Sequence, residues 1–84
     1  MSISKIRHEI DEIDRQLLQL LNMRAEKAIE IVSIKSREQL EVLDSHRESR
    51  IIERMTSLNP GPLSAEQVTR LYEQVIQICR SLQS

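Results

Sequence analysis

Two positively charged side chains, Arg24 and Lys35, occupy positions where the heptad pattern predicts apolar residues. Burying an unpaired charge costs several kcal/mol, and no acidic residue of the same segment lies beside both. The simplest compensation is an anion that binds from outside, so the pattern predicts the wall of an anion site. The apolar residues that define this seam recur every three or four positions: Ile10, Ile13, Leu17, Leu21, Ala28 and Ile31.

Four more polar residues share a face with apolar ones. Arg7 has the heptad position of Lys35, Arg47 and Glu48 precede inward rows of the second segment, and Gln83 ends the row of the third. Guanidinium groups favour carboxylate or phosphate through forked hydrogen bonds. Glu48 and Gln83 would add an acceptor for a hydroxyl and an amide for an ether or carbonyl oxygen.

Several common kinds of catalytic site are missing from the sequence. There is no paired-carboxylate motif, no Ser/His/Asp arrangement, no Gly-rich phosphate loop and no metal-ligand cluster, and Cys79 has no evident base. We therefore expect no cofactor and no metal. Such residues could still hold a dianion in a reactive shape and stabilise charge that develops in the transition state.

The composition predicts one all-α domain over residues 1–84. Of the 84 residues 39% are hydrophobic and 30% charged, with one Tyr, no Phe and no Trp. A net charge of −1 argues against nucleic acid or an acidic membrane as a partner. Since the sequence has neither a membrane-length apolar run nor the apolar core of a secretion signal, we expect a cytoplasmic protein.

Three helices account for nearly all of the sequence. We predict a long helix over about 4–37, a short one over about 44–58 and a medium one ending near residue 82. The segment Asn59-Pro60-Gly61-Pro62 separates the last two. Capping boxes are expected at the starts of the second and third helices, formed by Ser45 with Glu48 and by Ser64 with Gln67; at the second helix Asp44 could be the cap instead.

The length of the first helix predicts a homodimer. At ~1.5 Å per residue it would be roughly 50 Å long, more than the rest of the chain can cover. If two copies cross antiparallel near residue 18, Arg7 of one copy lies opposite residue 29 of the other, between Arg24 and Lys35. A twofold dimer would then contain two equal sites, each completed by the neighbour's Arg7.

The sequence resembles the all-helical AroQ-type chorismate mutases over essentially its whole length. The matching segments are Ile-Arg-x-Glu-Ile-Asp-x-Ile-Asp-x-x-Leu-Leu-x-Leu-Leu-x-x-Arg at positions 6–24, Lys35, Asp44-x-x-Arg47-Glu48, the turn at residues 59–63, and Gln83. The resemblance implies an intertwined homodimer of three-helix chains. It also implies the Claisen rearrangement of chorismate to prephenate, on the route to phenylalanine and tyrosine.

The resemblance also implies a role for each candidate residue in binding the dicarboxylate substrate. Arg7 of the partner, Arg24 and Arg47 would hold the two carboxylates. Donors to the ether oxygen, where negative charge gathers as the carbon–oxygen bond breaks, would be Lys35 and Gln83. The other expected substrate contacts are Glu48 and the helix start at Asp44, on the ring hydroxyl, and Cys79, lining the pocket where some members have serine.

Simpler interpretations remain open. Arg24 and Lys35 could lie at the edge of a coiled coil with buried stems and solvated heads. On the same fold, the protein could be an isochorismate–pyruvate lyase, a mutase of amino-deoxychorismate, or a non-catalytic metabolite-binding or dimerisation domain. The remaining arginines are expected on solvated faces with partners one helical turn away: Arg15, Arg37, Arg50, Arg54, Arg70 and Arg80.

Overall fold

The computed structural model describes residues 2–38 and 45–83, with residues 35–38 as backbone only. It contains helices α1 (Ile3–Glu38), α2 (Ser45–Leu58) and α3 (Ala65–Ser81). The predicted all-α class with one long, one short and one medium helix is confirmed. The observed bounds lie within about a residue of the predicted ones because Pro, Gly and capping residues mark the ends so clearly.

Capping interactions explain where α1 and α3 begin. The Lys5 N–H donates to Ser2 Oγ at 3.1 Å in the first turn of α1. At α3 the predicted capping box is confirmed: the Gln67 N–H donates to Ser64 Oγ, and the Ser64 N–H donates to Gln67 Oε1. The box predicted at α2 is wrong, because Ser45 is already helical and the carboxylate of Glu48 pairs with another helix.

The turn between α2 and α3 is built from side-chain hydrogen bonds and one glycine. Asn59 donates from Nδ2 to the Leu63 carbonyl at 2.6 Å and accepts at Oδ1 from the Gly61 N–H at 3.2 Å. Gly61 has φ +80°, a left-handed conformation that side chains disfavour. This short turn lets α3 fold back along α2.

Helix α3 is the element that packs against both of the others within the described residues. The buried apolar residues are few and centre on it: Ala28, Val68, Ile76 and Cys79. The radius of gyration is 16.0 Å and the molecule measures 56 × 23 × 16 Å, whereas a compact chain of this length would have a radius of gyration of about 12 Å. Helix α1 therefore extends well beyond the small core.

The predicted seam of α1 is mostly uncovered in the single chain. Its large apolar side chains are 38 to 61% exposed, with Ala28 the member that α3 buries. None of the described helices combines the length and the apolar character that crossing a membrane requires.

Replacing Ser64 with Ala should lower the free energy of unfolding by about 1 kcal/mol, because the Gln67 N–H at the start of α3 loses the Ser64 Oγ acceptor. Urea denaturation at one fixed protein concentration measures this, since any association would make stability concentration-dependent. The control is Ser57→Ala on an exposed position of α2, expected to change stability by less than about 0.5 kcal/mol. Equal losses in the two variants would contradict the capping role.

Candidate active site

The end of α3 contacts two other helix segments: the part of α1 around Ala28 and the start of α2. Gln83, just past α3, donates from Nε2 to the Ala28 carbonyl of α1 at 2.9 Å. Arg80, in the last turn of α3, pairs with Glu48 in the first turn of α2. These two contacts bring Glu48 and Gln83 toward the stretch of α1 that follows Arg24.

Arg24 lies one turn before Ala28 and is half-buried. Within residues 2–38 and 45–83 it forms neither a hydrogen bond nor an ion pair. A partly desolvated guanidinium without a protein acceptor has its hydrogen-bonding capacity available for an external anion.

Arg7 is not brought to these contacts. It is exposed near the start of α1, 17 residues from Arg24 and so about 25 Å away along the helix axis. Two side chains at that separation on one straight helix cannot bind the same small ligand. Within one chain, the predicted set of arginines is therefore incomplete.

Glu48 and Arg47 are adjacent in sequence but line different grooves. Successive residues of a helix point about 100° apart, so Glu48 faces α3 while Arg47 lies on the outer side of α2. The groove beside Glu48 is about 350 Å³ and is lined by Ser45, Glu48, Ser49, Ile52, Glu73, Ile76, Gln77 and Arg80. The other is about 510 Å³ and is lined by Arg47, Arg50, Ile51, Glu53, Arg54 and Ser57.

Arg80 is exposed as predicted, but the prediction that its partner lies one helical turn away is wrong. Its Nε donates to Glu48 Oε2 at 3.2 Å, and its Nη2 donates to Glu48 Oε1. The residue four positions earlier is Ile76, so α3 itself offers no acid at that spacing. The only sequence signal was that missing helical partner, because the acid comes from α2, 32 residues away.

Cys79 precedes Gln83 by one turn and is only 6% exposed. It packs as a small apolar residue of the core, and its predicted place in the pocket lining stays a prediction. The side chain of Lys35 and all of Asp44 lie outside the described residues. In the part of the chain that is described, no cluster of three or more His, Cys, Asp or Glu side chains could hold a metal ion.

The fold and these residues define a class: an all-helical protein with a half-buried arginine, Arg24, on the seam of its long helix. The model of one family, chorismate mutase type II, matches residues 6–84. The chain therefore belongs to the chorismate mutase type II family, and the predicted family is confirmed.

Two bifunctional chorismate mutase/prephenate dehydratases are similar in sequence. The one from Aquifex aeolicus is 36% identical over 85 residues, covering 96% of this chain and 24% of the relative. The one from Neisseria gonorrhoeae is 38% identical over 77 residues, covering 92% and 21%. The chain thus spans about a quarter of the length of the curated relatives it matches.

Solved structures are similar in fold as well. Chorismate mutase (Form II) from Thermus thermophilus superposes with a TM-score of 0.94 at 28% identity, covering 96% of this chain and 92% of that one. Chorismate mutase from Helicobacter pylori in complex with prephenate superposes with a TM-score of 0.87 at 32% identity, covering 96% and 88%.

The burial of Cys79 predicts slow modification of its thiol in the folded protein. A disulfide reagent needs an exposed thiolate, so reaction must wait for local opening and should be at least about a hundredfold slower than in denaturing urea. Spectrophotometric thiol titration with an aromatic disulfide measures both rates, and the Cys79→Ala variant gives the background. Rapid modification of the folded protein would show that the thiol faces an open pocket.

Proposed function

We propose that this chain catalyses the rearrangement of chorismate to prephenate. The observation that carries the proposal is its membership of the chorismate mutase type II family over residues 6–84. A prephenate-bound relative with the same fold supports the same product. The reaction is intramolecular, so the protein needs to bind one substrate molecule, hold it in its reactive conformation and stabilise the charge that develops in its transition state.

The two carboxylates of the substrate would be held by arginines. Arg24 has no acceptor within the described residues, which leaves its fork open for a carboxylate. Arg47 would move toward the same substrate from α2, and Arg7 would come from a second copy of the chain. Holding both carboxylates would restrain the flexible molecule in its reactive shape, which is the entropic part of catalysis.

Gln83 and Lys35 would act on the ether oxygen. A primary amide has two N–H donors, and in Gln83 one of them is used by the Ala28 carbonyl. That bond fixes the amide plane and leaves the second donor for the oxygen, where negative charge gathers as the carbon–oxygen bond breaks. A donor aligned with developing charge stabilises the transition state more than the bound substrate.

Glu48, together with Asp44, would bind the ring hydroxyl of the substrate, with the Glu48 carboxylate as the acceptor. Cys79 would contribute packing beneath the ring. No residue in this set acts as a nucleophile, so the reaction proceeds without a covalent intermediate. No cofactor or metal is proposed.

A homodimer would cover α1 and complete the site. The chain exposes 7176 Å², about 2000 Å² more than a compact monomer of its mass would expose. The exposed apolar residues of α1 provide most of an interface suited to a second α1. An antiparallel crossing near residue 18 would place the partner's Arg7 between Arg24 and Lys35. We further propose that residues 1–84 act as a single domain in the cytoplasm.

Incubation of the purified protein with chorismate should yield prephenate, followed as loss of chorismate absorbance and identified by mass. Arg24→Ala should lower kcat/KM at least about a hundredfold while leaving the helix content unchanged, because a carboxylate then loses its forked partner. The matched control is Arg70→Ala, an exposed arginine of α3, expected to keep nearly full activity.

The products separate the competing functions. Release of pyruvate from isochorismate without prephenate formation would indicate that the protein is a lyase rather than a mutase. Turnover of the amino analogue alone would indicate a related mutase. If Arg24→Ala stabilises the protein and no substrate is turned over, the chain is a dimerisation domain instead.

Mixing two inactive variants tests the shared site. In a heterodimer of Arg7→Ala with Arg24→Ala, one site keeps both wild-type arginines and the other loses both. Random exchange of subunits should therefore restore about a quarter of wild-type activity. No recovery despite demonstrated subunit exchange would contradict the contribution of Arg7 in trans, and sedimentation of a fully active monomer would reject the dimer.

A further inference from the structure

The ion pair between α2 and α3 joins one residue of the proposed site to one outside it. Glu48 accepts two parallel hydrogen bonds from the guanidinium of Arg80, one on each carboxylate oxygen. The Glu48 side chain is 23% exposed and that of Arg80 is 45% exposed. This two-point contact fixes the plane of the carboxylate, which a single hydrogen bond would leave free to rotate.

The pair leaves Glu48 able to bind a substrate. Each oxygen of an ionised carboxylate has two lone-pair sites, and Arg80 uses one on each oxygen. The remaining sites can accept from a hydroxyl.

Among the described residues that line the groove, Arg80 is the one cation beside Glu48. Glu73 and Gln77 line the same groove from α3; a second carboxylate would repel that of Glu48, and an amide would supply no charge. Among the described ion pairs, the two others join residues within one turn of α1. The Arg80–Glu48 pair is the described one that links two helices.

We propose that Arg80 is a positioning residue for the reaction: it holds the Glu48 carboxylate oriented to accept the substrate's hydroxyl, without touching the substrate itself. This inference rests on the proposed mutase function and on the role proposed there for Glu48. It assigns to Arg80 a part in substrate recognition. Helical spacing alone would predict only a solvated surface arginine at this position.

A purely structural role makes a different prediction. If Arg80 only tied α2 to α3, its loss would lower stability and would leave the kinetic constants of the folded enzyme unchanged. Partly exposed ion pairs contribute little to stability in general. The kinetic constants are therefore the informative measurement.

The test is a double-mutant cycle with Arg80→Met and Glu48→Gln, assayed for chorismate turnover well below the unfolding transition. Arg80→Met should lower kcat/KM about tenfold in the wild-type background and less than about twofold in the Glu48→Gln background. The loss should appear mainly in KM, because the hydroxyl takes no part in bond making or breaking. Arg80→Lys should fall between wild type and Arg80→Met, because an ammonium keeps the charge but not the fork.

Arg70→Met on the same helix is the control for loss of an arginine and should leave both kinetic constants within about twofold of wild type. An equal loss from Arg80→Met in both backgrounds would mean direct contact with substrate and would overturn the positioning role. Unchanged kinetics with lowered stability would overturn it in favour of a structural pair. Absence of turnover in the wild-type protein would instead reject the proposed function, and this inference with it.

Discussion

The structure depends on one constraint: α1 carries far more apolar surface than the other two helices of the chain can cover. Helices α2 and α3 together have fewer residues than α1 has, and α3 buries α1 around Ala28. The uncovered apolar surface favours association because transfer of apolar area from water is the dominant favourable term in such assembly. In the proposed dimer, the same requirement that stabilises the fold would also supply Arg7 to the partner's site.

The proposed site lies where the end of α3 contacts α1 and α2, and two polar contacts hold these helices together. Gln83 is fixed to the backbone of α1 by its bond to Ala28, and Glu48 is fixed to α3 by Arg80. Each contact leaves hydrogen-bonding capacity for a substrate: Gln83 keeps its second amide N–H, and the carboxylate oxygens of Glu48 keep their remaining lone-pair sites. Groups whose orientation is set before the substrate binds need less reorganisation during the reaction, which is the physical basis of electrostatic catalysis without a nucleophile.

Sequence reasoning succeeded for the helices and was weaker for side-chain partners. Helix ends were predicted well because Ser64, Gln67 and the Asn59–Pro62 segment act locally, through hydrogen bonds and backbone restrictions within a few residues. Arg80 was misjudged for the opposite reason. Its partner is Glu48, on a different helix, and helical periodicity predicts the inward face of each helix but not which residues of two packed helices lie opposite each other.

The sequence by itself determined the helical class, the order and length of the helices and the cationic positions on the seam of α1, since these follow from local propensity and spacing. The tertiary structure decided which polar groups meet. It placed Glu48 against Arg80 and Gln83 against Ala28. The reason is that such contacts depend on how rigid helices pack, and packing angles are set by the whole interface rather than by any local pattern.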